Sequence, residues 1–130
     1  MTEETPIRNL PSKDGKKFSN VLKVKADSRD ATDEERSDAA HRLAGAIAHG
    51  LRQFGEIEVR CIGFAATFKG AKCLAIASGL VATKGFDLYC RPHFIIADIG
   101  GKEITGISFL TVTSQLQSRE MDEGHGESID

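Results

Sequence analysis

The chain has no tandem cysteine pair, no long apolar run and no strong charge of one sign. Its three cysteines, Cys61, Cys73 and Cys90, are odd in number and form no CxxC. That excludes a self-contained disulfide framework and fits free thiols in a reducing cytosol. Cys90 and His93 lie close in sequence, but the spacing matches no zinc pattern. His41 and His49 are eight residues apart, without HExxH. No GxxxxGK[ST] or GxGxxG occurs either, which removes the usual phosphate-cradling loops. With no reactive constellation, the expectation is a protein that is not an enzyme and takes no cofactor and no metal. No stretch approaches the about 20 apolar residues of a membrane span. The N-terminus is polar and lacks an apolar signal core, so the expected location is cytoplasmic. Nineteen acidic residues against 17 basic ones give a formal charge of −2. Nothing global draws the chain to nucleic acid, so a basic site has to be local. No repeat or low-complexity run interrupts residues 20–113.

What is present is an ordinary globular composition, 40% hydrophobic and 28% charged, with length for one domain and its core. Charge is uneven along the chain. The last fifteen residues hold Arg119 against Glu120, Asp122, Glu123, Glu127 and Asp130, a net of −4 that leaves +2 elsewhere. Residues 116–130 therefore read as an acidic disordered tail. Residues 1–19, with Pro6, Pro11, Gly15, Lys13, Lys16 and Lys17, read as a flexible basic arm. The domain is expected over residues 20–115.

Within it, Leu22 and Val24 alternate with Lys23 and Lys25, the pattern of a half-buried strand with one basic face. Thr32 with Glu35 three residues later makes a capping box. Ala40, Leu43, Ala44, Ile47, Leu51 and Phe54 then recur at helical spacing up to a stop at Gly55. Residues 56–62 alternate again, placing Ile57, Val59 and Cys61 on one face and Glu58 and Arg60 on the other. Residues 65–81 read as a second helix, apolar nearly all round. Ala71, Leu74, Ala75 and Ser78 fall along one face, and Cys73, Ile76, Ala77 and Leu80 along another. One small sheet covers one side of such a helix, so the other is expected to meet a second copy of the chain, giving a homodimer, the alternative being that the first helix covers it. Residues 86–99 read as a long strand with Pro92 at an edge or a bulge. Gly100-Gly101 signals a tight hairpin returning through residues 103–113. The fold class is α/β, an α+β two-layer arrangement in the order β-α-β-α-β-β, ending in a long C-terminal β-hairpin.

These residues resemble a known family. Leu43-Ala44-Gly45-Ala46-Ile47, Ala65-Ala66, Lys72 through Gly79, and Gly85 through Cys90 with Pro92 two positions on are similar to stage V sporulation protein S over about ninety residues. The resemblance implies an Alba-like sandwich, dimerisation, binding of DNA or RNA, and a regulatory role in spore-forming bacteria. In Alba-like proteins the contacts come from the loop after the first strand, the start of the second helix and the long hairpin. These regions map onto Arg29, onto Lys69 and Lys72, and onto Arg91 and Lys102. The chain departs from the pattern in an acidic stretch from Asp30 to Asp38, and in Phe64, Phe68 and Lys69 where small residues are usual. The expected function is a dimeric nucleic-acid-binding regulator or architectural protein. The alternative is a protein-interaction module that keeps the fold without nucleic-acid affinity.

Overall fold

Thr32 starts the first helix as expected. Its Oγ1 accepts the Glu35 N–H at 3.0 Å, while Glu35 Oε1 accepts the Thr32 N–H at 2.9 Å. Asp33, Glu34 and Glu35 fill the first turn, so the acidic stretch complements the positive end of the helix dipole. Arg36 then folds back on the preceding loop, donating to the carbonyls of Ala31, Ser28 and Arg29. The structure is a computed structural model describing residues 20–115. The basic arm expected over 1–19 and the acidic tail expected over 116–130 lie outside the described residues.

The elements are β1 (Val21–Val24), α1 (Asp33–Phe54), β2 (Glu56–Ile62), α2 (Phe64–Ala82), β3 (Phe86–Ile99) and β4 (Lys102–Gln115). They form one mixed sheet in the order β1-β2-β4-β3, with β1 parallel to β2 and the other pairs antiparallel. The β-α-β-α-β-β order and the α+β class match the sequence reading. Pro92 lies on β3, an edge strand, the setting in which sheets accommodate a residue without an N–H. Gly100 and Gly101 turn the hairpin with φ of 60° and 80°, a mirror-image turn that suits glycine.

Ala40, Ala44, Ile47 and Leu51 of α1 pack with Cys73, Leu74, Ala77 and Val81 of α2 over Val24, Ile57, Val59 and Cys61. Both helices therefore cover one side of the sheet. At nearly 0.8 kcal/mol per buried methylene, this apolar cluster is the main source of cohesion. Phe54 departs from the expectation and is exposed, because α1 ends there and the chain turns at Gly55 into β2. By length and composition alone α2 is apolar enough to cross a membrane, which corrects the expectation that no stretch comes near a spanning length. In this fold one side of it is committed to the core through Ala66, Gly70, Cys73, Leu74, Ala77 and Val81.

Candidate functional site

Strand alternation decides which residues face away from the helices. Val59 and Cys61 point into the core, so Glu58, Arg60 and Ile62 point to the opposite, helix-free side of the sheet. Register carries that side across all four strands. Lys23 pairs with Arg60, Arg60 with Ser108, and Ser108 with His93, giving one transverse row. The next row runs Val21, Glu58, Leu110, Arg91. This face therefore gathers Lys23, Arg60 and Arg91, with Lys102 at the hairpin end.

Glu58 is fully buried on this face, not solvated as a polar strand position would suggest. Ser108 donates to its Oε2 at 2.8 Å and Arg60 Nε donates to the same oxygen at 3.0 Å. A buried carboxylate needs such partners. In exchange, the Arg60 guanidinium is held in one orientation. His93 Nε2 is buried beside this row and is the one such side-chain atom without a hydrogen-bond partner among the described residues.

At the carboxyl ends of the parallel strands β1 and β2 lies a cavity of about 560 Å³. Lys23, Lys25 and Arg60 line it together with Ile62, Ile95, Ala97 and Ile99. Ala66, in the first turn of α2, reaches it too. That turn has no acidic residue and no side-chain cap at Gly63, so its positive dipole end is not neutralised locally. Crevices at the carboxyl ends of strands are where open α/β sheets place ligands.

The structure scatters the five residues mapped from the resemblance. Arg91 and Lys102 share the helix-free face with Lys23 and Arg60. Lys69 points elsewhere: its Nζ lies 2.8 Å from both the Lys25 carbonyl and Asp27 Oδ1, with a side chain only 16% exposed. It ties the β1–α1 loop to α2 and braces the cavity wall at Lys25. Lys72 is exposed along the outer side of α2, and Arg29 is exposed in the loop before α1. Lys23 and Arg60 join the site although the resemblance maps no contact onto them. The alternation of strands β1 and β2 was the signal for them, but parallel pairing was needed to put them side by side.

The second helix is two-sided, with a different membership from that expected. Leu74 turns into the core, whereas Ala71 and Ala75 stay outside. They line up at helical spacing with Phe64, Phe68 and Gly79, all exposed, Phe64 at 95% and Phe68 at 72%.

Burial raises the pKa of all three thiols. Cys61 is pushed up to about 11 by burial, with Cys73 adding to the effect. Cys73 is raised by burial and opposed by Lys69. Among the described residues no group of three or more His, Cys, Asp or Glu side chains is placed to hold a metal ion. The family model described as Stage V sporulation protein S (SpoVS) matches residues 20–114.

Proposed function

The chain belongs to the Stage V sporulation protein S family, and from that premise we propose that this sporulation-related protein is a homodimeric nucleic-acid-binding regulator or architectural factor of the cytoplasm, acting on DNA or RNA. The observation that carries this reading is the helix-free sheet face. Lys23 and Arg60 lie there on the paired strands β1 and β2, Arg91 lies on the same face of β3 across β4, and Arg60 is held in place by Glu58. Phosphate binding needs cations at fixed spacing, and counterion release then supplies the affinity. The weak overall charge is no obstacle, because Lys23, Lys25, Arg60, Arg91 and Lys102 share this face, although Glu56, Glu58 and Asp87 share it too.

The homodimer is supported by the outer side of α2. Phe64, Phe68, Ala71, Ala75 and Gly79 form an exposed apolar stripe whose small members permit close approach of a second helix. Two copies packed there would present two basic sheet faces. The protein-interaction module remains the second reading, favoured by the same exposed phenylalanines and by the engagement of Lys69 with Asp27. Fluorescence anisotropy with labelled nucleic acids over a range of salt separates the two. The first reading requires saturable, salt-sensitive binding; the second requires none.

A further inference from the structure

We infer that the cavity at the carboxyl ends of β1 and β2 takes an unpaired ribonucleotide, so that the preferred ligand is single-stranded RNA. This rests on the nucleic-acid reading above and names the ligand class for that same face.

The shape of the site argues against a duplex as its main occupant. A duplex offers phosphates, groove edges and isolated thymine methyls, but its flat base faces stay stacked and cannot fill a recess. The recess here is about 560 Å³ with Ile62, Ile95, Ala97 and Ile99 in its walls. That volume falls in the range of about 300–1,000 Å³ in which proteins enclose small molecules. An unpaired base has two flat apolar faces and fits such walls, as single strands do on other proteins.

Charge is arranged to match. Lys23, Lys25 and Arg60 line the same cavity, so the phosphates flanking an inserted base meet cations without leaving the site. Two of these positions are braced: Arg60 by Glu58 at 3.0 Å, and the Lys25 backbone by Lys69 at 2.8 Å. Asp98 is the one acidic residue in the lining among the described residues. Toward a phosphate it is unfavourable. Toward a ribose 2′-hydroxyl it is a hydrogen-bond acceptor, and deoxyribose has no such group.

The test is fluorescence anisotropy of the full chain with three labelled ligands of one sequence at one salt concentration: single-stranded RNA, single-stranded DNA and duplex DNA. Single-stranded RNA should bind tightest, by about tenfold over single-stranded DNA, the size of one hydrogen bond to a charged group. Asp98→Ala should collapse that RNA-to-DNA ratio toward one. Ile99→Glu, at an exposed position, should weaken single-stranded RNA by about tenfold, the loss of one base contact, with the thermal melt unchanged. Duplex binding as tight as single-strand binding, or equal affinity for the two single strands, overturns the inference and leaves the nucleic-acid reading standing. Binding of none of the three ligands overturns that reading itself.

Discussion

Cys61 and Cys73 lie in the core, whereas Cys90 is exposed on the edge strand. A thiol reagent added to the native protein should titrate Cys90 alone, and all three only after denaturation, because a buried protonated thiol is a poor nucleophile. Cys61 also links stability to pH. Its ordinary value of 9.0 rises to about 11 in the fold, so the folded chain holds the proton more tightly than the unfolded chain. That contribution is full below about pH 9 and is lost as pH rises toward 11. Denaturant melts should show this alkaline decline, and Cys61→Ala should flatten it. Gly106 is a second demanding position. A Cβ there would meet the Cys61 carbonyl oxygen and Ile62 Cδ1, each at 2.5 Å. Because one neighbour is backbone, Gly106→Ala should cost about 1–3 kcal/mol, read as a lower melting temperature. The residue scale is also where the sequence was least legible. Lys69 reads as a free cation near a helix start, and only the fold brings Asp27 to it. Glu58 reads as solvated, and only pairing with β4 brings Ser108 to it.

At the scale of elements, α1 was legible from end to end. Its cap at Thr32, its acidic first turn and its stop at Gly55 are all local signals, and one apolar stripe sets its orientation. Thr32→Ala should remove the bond from the Glu35 N–H to Thr32 Oγ1 and about 1 kcal/mol of stability, with Thr32→Ser recovering most of it in a denaturant titration. The second helix was legible as a helix but not in its facing. A segment apolar nearly all round has a weak preferred side, so periodicity groups Leu74 with Ala71, Ala75 and Ser78 on one face, whereas the core takes Leu74 and leaves Ala71 and Ala75 exposed. Which side packs is set by the sheet beneath, through contacts far apart in sequence. Ile76 is partly buried against the core, and a charge there would disturb the fold itself. Ala75 is exposed on the outer stripe. Ala75→Glu should therefore convert a dimer to a folded monomer in sedimentation equilibrium, with an unchanged circular dichroism spectrum. A dimer of undiminished affinity would rule out this side of α2 as the interface.

At the scale of the whole molecule, the sheet divides the labour. One side is given over to the helices and the core. The other gathers Lys23, Arg60 and Arg91 from β1, β2 and β3 and ends in the cavity beneath the hairpin. The element order was legible in the sequence because each strand and helix has its own period and its own glycine or cap. The site was legible only in part. Arg91 and Lys102 fall on the face that strand order creates, but that order places β4 between β2 and β3, a long-range arrangement that no local pattern encodes. The measurement that tests the central claim most directly is the salt dependence of nucleic-acid binding, followed by anisotropy for the wild type and for Lys23→Ala. The account predicts saturable binding that weakens steeply with salt, and a slope reduced by about one in Lys23→Ala as one phosphate contact is lost. Absence of binding at low salt, or an affinity and slope untouched by Lys23→Ala, would contradict it.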